Sequence, residues 1–500
     1  MPRWMTSASR RHVLAFATAS SKPATSRAPL ASGAGLGLVT LIGYMVGSGR
    51  AYSYDASITV GRFVTSPSIL DPFHRHDLFN NHVAFSFLDH LVYSLTGSSD
   101  ERVLRFLPCL AAALAVGLIA YECSRRLGVL AGACAGVLLA ISPMMLNDGR
   151  EVRGYSLVVL SAVVATIAFF RLREFGMART LSIIYIVALA VGIATNIYTG
   201  MVLVVHAAIV VATGREVRDW IWLWVLAVVG GVLPASRVLL YMYHDAVGRP
   251  RVFQADFPIQ LTRVLLGDSN EGFAQQPLRG SVLIALAPVA VIGFVLLMRD
   301  RRAQAALAAV AGLVALVWVA APLDLYPRLF IWLTPAVAVC GAVAVARWRG
   351  LVVVVAAALL AQIAFNAGRL GEDPLANRSI AAVFDRVHAA GGLPCALGHS
   401  APPLVGYTRA YAEVDPRVDP GPNARARAQV PFDLPNYPSL VRLQDCDVVA
   451  VLGDFDPVET RYFQTTVRRL YPYTAVYPAS YFDGYILSRR PLTEWNVPNK

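Results

Sequence analysis

Apolar and polar positions in this chain segregate into blocks instead of alternating. Eleven blocks are nearly free of charge: Leu30–Val46, Val103–Tyr121, Leu127–Met145, Tyr155–Phe170, Leu181–Ile197, Met201–Thr213, Trp220–Tyr243, Ser281–Met298, Ala303–Ala321, Leu329–Ala346 and Leu351–Phe365. A helix of about 20 apolar residues crosses a ~30 Å hydrocarbon core, so these blocks predict an α-helical polytopic membrane protein with about eleven transmembrane helices. Only Asn196 to Gly200 separates the fifth and sixth blocks, which is the weakest point in that count.

The polar blocks between them predict a different organisation. Residues 1–29 read as a tail and 30–366 as the membrane module, with long loops at 49–102 and 244–279. In the first loop, Ser57–Val64 and Val83–Leu95 are apolar on one side, as in segments that lie flat at a lipid–water boundary. Residues 367–500 hold no span and are domain-sized. There Asn377–Ala389 and Glu459–Leu470 carry helical periodicity, and Asp447–Leu452 and Tyr481–Ser488 read as strands. The tail therefore predicts a small α/β domain, with a Pro-rich loop at Asp415–Pro438.

Composition agrees with bilayer solvation. Soluble proteins are about 45–50% apolar and about 25% charged; this chain is 56% hydrophobic and 15% charged. The net charge of +12 does not point to nucleic acid, because the basic residues cluster in short loops. With the N-terminus inside, 17 basic residues fall in the N-terminal tail and cytoplasmic loops, and three (Arg150, Arg153 and Arg328) in short outer loops. That asymmetry sets orientation and, with an odd span count, places the C-terminal domain outside a plasma (inner) membrane. Of six cysteines, Cys109, Cys134 and Cys340 lie in apolar blocks and Cys123 lies two residues past the end of one. Cys395 and Cys446 fall in the outer domain, where a disulfide and two buried thiols are equal alternatives.

Candidate chemistry sits in the outer loops. Asp55, in Tyr52-Ser-Tyr54-Asp55-Ala, follows the first span; a carboxylate near the lipid boundary suits general-base work, and an N-cap role is the competing reading. Asn80-Asn81-His82 leads into the second amphipathic segment, and its polar side chains suit binding of a polar substrate. His74, His76 and Asp77 are weak candidates for a divalent metal, which stays open but is not favoured. Arg150-Glu151-Val-Arg153-Gly-Tyr155 opens the fourth span; Arg150 and Arg153 suit a phosphate, with Glu151 and Tyr155 in support. Asp324-Leu-Tyr326-Pro-Arg328 forms a similar turn. No phosphate-binding GxxxxGK[ST], dinucleotide GxGxxG, HExxH or GxSxG is present.

Four stretches in this order resemble the GT-C superfamily of polyprenyl-phosphate-sugar glycosyltransferases, nearest the branch of the protein O-mannosyltransferases and lipid A aminoarabinose transferases. They are Tyr54-Asp55-Ala56, Asn80-Asn81-His82, Gly97-Ser-Ser-Asp100-Glu101-Arg-Val-Leu-Arg105-Phe-Leu-Pro108, and Ser142-Pro143 with Arg150–Tyr155. Tyr326-Pro-Arg328 is a fainter echo. Ala56 stands where the family often has Glu, and Val83-Ala84 where it has Pro-Pro. The resemblance implies a GT-C-like membrane fold and a sugar transferred, with inversion, from a polyprenyl-phosphate donor to an extracytoplasmic glycan, lipid or protein. It implies no required cofactor. Asp55 would be the base, Arg153, Arg328 and Arg150 would hold the phosphate, and Glu151, His82, Asn81, Tyr54 and Tyr155 would assist. A transporter or lipid flippase and a non-catalytic membrane scaffold are the alternatives.

Overall fold

The computed structural model describes residues 27–46, 48–74, 81–214, 217–248, 254–266, 280–320, 325–367, 377–397, 404, 407–408, 411–414, 442–452, 462–477 and 484–495. Its described residues divide into two units. One comprises residues 27–48, 70–89 and 105–367; the other comprises 49–69, 90–104 and the C-terminal segments from 377 onward.

The first unit is helical, and every one of the eleven apolar blocks forms a helix. These are α1 (Ala28–Met45), α4 (Phe106–Leu127), α5 (Val129–Ala140), α6 (Tyr155–Phe175), α7 (Arg179–Thr195), α8 (Gly200–Ala212), α9 (Arg218–Gly248), α10 (Gly280–Leu297), α11 (Arg301–Ala320), α12 (Thr334–Arg347) and α13 (Val352–Ala367). Among the described residues, six helices are long and apolar enough to cross a membrane on their own, and the others are shorter apolar helices. Two interruptions have local causes. Gly128, with φ near +97°, is the single residue between α4 and α5, a conformation that a Cβ would strain. Asn196 ends α7, and its side-chain oxygen accepts the Tyr198 N–H at 3.0 Å, starting a short 3-10 turn before α8.

Lipid gives no hydrophobic drive between helices, so close packing depends on small residues. At the α1–α4 crossing, a Cβ on Gly33 would lie 2.7 Å from the Gly117 carbonyl oxygen, and one on Gly117 2.9 Å from that of Gly33. The 3-10 segment Pro327–Leu333 packs against α6, and Phe330 meets Tyr198 and Phe257 at ring centroid distances of 5.6 and 5.5 Å. At the Arg-rich end of α4, Glu122 accepts from Arg125, Arg126 and Arg171 at 3.1, 2.7 and 3.1 Å.

The second unit holds α2 (Tyr54–Thr59), which continues into a π turn over Val60–Val64, and the last part of α3 (Val83–Thr96). The expected interfacial segments are therefore helical. Its α/β part pairs α14 (Asn377–Ala389) with a five-stranded sheet of β1 (Pro394–Leu397), β2 (Ala412–Val414), β3 (Val448–Leu452), β4 (Tyr473–Tyr477) and β5 (Gly484–Ser488). The order is β2-β1-β3-β5-β4; β1 runs parallel to β2 and β3, while β5 is antiparallel to β3 and β4. All residues of β3 are buried, as a central strand covered on both faces requires. Ile380, Val383, Phe384 and Val387 of α14 cover one face. Cys395, just inside β1, is disulfide-bonded to Cys446 beside β3, closing a separation of 51 residues. The Pro-rich loop lies outside the described residues.

Candidate functional site

In the second unit, Ser53 caps α2: its hydroxyl accepts the Ala56 N–H at 3.3 Å. Asp55 is not the cap. It is the second residue of the helix, in the first turn, where the helix dipole favours a carboxylate. It is half-buried, on a segment whose following residues Ala56, Ser57 and Ile58 are buried. Tyr54 opens the helix; its side chain is outside the described set.

In the first unit, several expected residues meet in one corner. Asn81 donates to the Pro72 carbonyl at 2.7 Å. His82, 7% exposed, is bonded through Nδ1 to the Thr195 carbonyl at 2.9 Å. A carbonyl only accepts, so Nδ1 carries the proton. The His82 ring meets Tyr155 edge-on at 5.1 Å. Between them, a Cβ on Gly154 would lie 2.1 Å from Thr195 Cγ2 and 3.1 Å from His82 Cβ, so only glycine lets α3, α6 and the end of α7 converge this closely. The guanidinium of Arg153, 5% exposed, lies 4.8 Å from the Tyr155 ring centroid. A cation almost out of water at the mouth of an apolar helix is expensive without an anion or ring to face.

The other arginines have separate surroundings. Arg150 donates through Nε to the Leu146 carbonyl at 2.7 Å and lies 5.8 Å over the Tyr44 ring. Arg328 lies 4.9 Å over Tyr326, at the start of the 3-10 segment that packs against α6. The Glu151 carboxylate reaches Arg105 at 3.6 Å, and Arg105 also donates to the Ser48 carbonyl at 2.7 Å. His74 ends the short helix Asp71–His74 and is exposed; His76 and Asp77 lie outside the described residues. Among the described residues no group of three metal-ligating side chains assembles.

Asp89 was not anticipated. It is 0% exposed, and neither carboxylate oxygen has a hydrogen-bond partner among the described residues. Burial pushes its carboxyl well above the usual carboxylate range. Ser86, three residues earlier on the same face, is also fully buried with no partner for its hydroxyl among the described residues. An acid within Phe85-Ser-Phe-Leu-Asp89-His-Leu is the signal that marks this position in the sequence.

The chain aligns with solved structures over nearly its whole length. It matches ArnT from Cupriavidus metallidurans in the apo state with a TM-score of 0.53 and 12% identity, covering 93% of this chain and 98% of that one. The match to the same protein bound to undecaprenyl phosphate has a TM-score of 0.52 and 14% identity, covering 91% and 97%. The chain therefore has an ArnT-like fold. Over residues 83–241 it also matches the family described as dolichyl-phosphate-mannose-protein mannosyltransferase. That stretch contains Arg105 and the Arg150–Tyr155 turn. No curated protein sequence matches the chain significantly. Together with its apolar helices, these findings make it a multi-pass membrane protein with an ArnT-like fold.

Proposed function

We propose that this GT-C-type protein transfers a sugar from a polyprenyl-phosphate donor to an extracytoplasmic acceptor of the cell envelope, inverting the anomeric centre. The observation that carries the reading is the coincidence of two matches: the mannosyltransferase family covers the segment with the buried Arg153, and the fold follows, from end to end, a protein whose structure holds undecaprenyl phosphate. In this reading Asp55 removes the proton of the attacking hydroxyl, and the acceptor oxygen bonds to the anomeric carbon as the bond to the phosphate oxygen breaks. The phosphate leaves as a stable anion, so no general acid is needed and one carboxylate suffices, unlike the pair of a glycosidase. Arg153 and Arg328, with Arg150, stabilise charge on the departing phosphate. His82, Asn81 and Tyr155 shape the surroundings of Arg153, and Glu151 shares the Arg150–Arg153 turn. The reaction as written needs no cofactor.

The orientation belongs to the same proposal: N-terminus cytoplasmic, C-terminal domain outside the inner membrane. The basic-residue asymmetry supports it, and so does the Cys395–Cys446 bond, since disulfides persist in oxidising compartments. The test is incubation of the full chain, in detergent, with a panel of radiolabelled polyprenyl-phosphate sugars and candidate acceptors. Transfer of label without any vesicle supports an enzyme. Donor binding without consumption, together with movement of lipid across reconstituted bilayers, supports a flippase instead.

A further inference from the structure

In the second unit, one tyrosine hydroxyl ties the start of the Asp55 helix to the C-terminal segments. Tyr52, 0% exposed, donates its backbone N–H to the Tyr407 hydroxyl. The same hydroxyl donates to Glu101 Oε1 at 3.0 Å. That oxygen also accepts from Arg378, through Nε at 3.1 Å and Nη2 at 2.6 Å. Arg378 Nη2 donates as well to the Gly49 carbonyl at 2.7 Å. The rings of Tyr52 and Tyr407 lie 5.3 Å apart, and the Tyr52 hydroxyl donates to the Ser99 carbonyl at 2.7 Å. Glu101 is only 7% exposed, so its charge is held by partners and not by water.

This arrangement is more than is needed to close a loop. The chain from Gly49 to Tyr52 is held at both ends by Arg378 and Tyr407, with Glu101 as the shared acceptor. The next residue, Ser53, caps α2, and Asp55 is two residues further on. Asp55 lies in the first turn of α2, three residues after Tyr52, so a shift of Tyr52 is carried into the turn that holds it. We infer that Tyr407 and Arg378, acting through Glu101, are positioning residues: the C-terminal domain sets the placement of the Asp55 carboxylate. The inference rests on the proposed reaction and deepens it. It gives the domain a task in the chemical step, and it explains why an acid occupies position 101 in the Gly97–Pro108 stretch.

A displacement of a catalytic group by 1 Å can cost on the order of 10²-fold in rate. Tyr407→Phe keeps the ring against Tyr52 and removes only the hydroxyl. In the full chain in detergent, it is expected to lower kcat by about 10- to 100-fold on that scale, with the donor KM within about twofold of wild type. Arg378→Gln should act in the same direction. Amide exchange supplies a second readout: peptides spanning residues 50–57 should exchange faster in both variants while β3 and β5 keep their protection. If a variant loses protection throughout the sheet, Glu101→Gln takes its place, because it retains an oxygen acceptor while removing the charge. Wild-type kcat in these variants, or unchanged exchange at 50–57, overturns the inference. Failure of the underlying reaction shows separately, as a wild-type protein that consumes no lipid-linked donor, and the inference falls with it.

Discussion

Arg153 and Asp89 are both charged residue types placed almost out of water, with different consequences. Arg153 has a ring beside it and stands in the turn proposed to hold the donor phosphate. A hydrogen bond to a charged group is worth about 1.5–3 kcal/mol, so Arg153→Ala should weaken donor binding by about 10- to 100-fold. Arg153→Lys should recover part of that, since an ammonium supplies charge without the planar fork. Equilibrium binding of labelled donor measures both, and unchanged affinity removes the phosphate role. Asp89 has a raised pKa in the folded protein. Its fold is therefore most stable where the carboxyl is protonated in both states. Stability falls as pH rises through the usual carboxylate value and levels off above the folded pKa. Asp89→Asn should unfold at a higher temperature than wild type at pH 8, with the gap closing towards pH 4. A gap independent of pH contradicts this account. At this scale the sequence marks the right stretches but not every partner. Glu151 lies in the anticipated turn, yet Arg105 is 46 positions away in the chain, and no local pattern connects them. The cap of α2 fell on Ser53 because both residue types cap well and only the backbone decides between them.

Helices were legible where charge-free blocks were long, since a bilayer demands length and apolarity together. All eleven blocks are helical, and among the described residues six of those helices are long and apolar enough to count as spans by themselves. In the C-terminal domain the β3 and β5 strands and the α14 helix show in the pattern. Strands β1, β2 and β4 do not: β1 and β2 have four and three residues, and β4 has an exposed face at the sheet edge. The α1–α4 crossing gives a prediction at this scale. Gly117→Val places atoms against the Gly33 carbonyl and must push the helices apart, at a cost of about 1–3 kcal/mol. Gly35→Val meets nothing within 4 Å and serves as the control. Thermal unfolding in detergent should show a lower midpoint for the first and not for the second. Equal midpoints would mean that this crossing does not depend on close approach.

Taken as a whole, the chain joins loop segments 49–69 and 90–104 to a domain that begins nearly 270 residues later. Nothing in the local sequence announces this, because it depends on Tyr52, Glu101, Arg378 and Tyr407 meeting in the fold. The disulfide is likewise a property of the folded domain. By loop-closure entropy, a bridge over 51 residues stabilises by about 4 kcal/mol. Under denaturing, non-reducing conditions a thiol reagent should label Cys109, Cys123, Cys134 and Cys340 but not Cys395 or Cys446. Labelling of all six would argue against an oxidising location for the C-terminal domain. The central claim is a glycosyl transfer in which Asp55 is the base. Its most direct test compares initial rates of wild type and Asp55→Asn on one lipid-linked donor, with donor affinity measured in parallel. General-base removal typically costs about 10²–10⁴-fold, and the account predicts a loss in that range at unchanged affinity. Near-wild-type transfer by Asp55→Asn would contradict it.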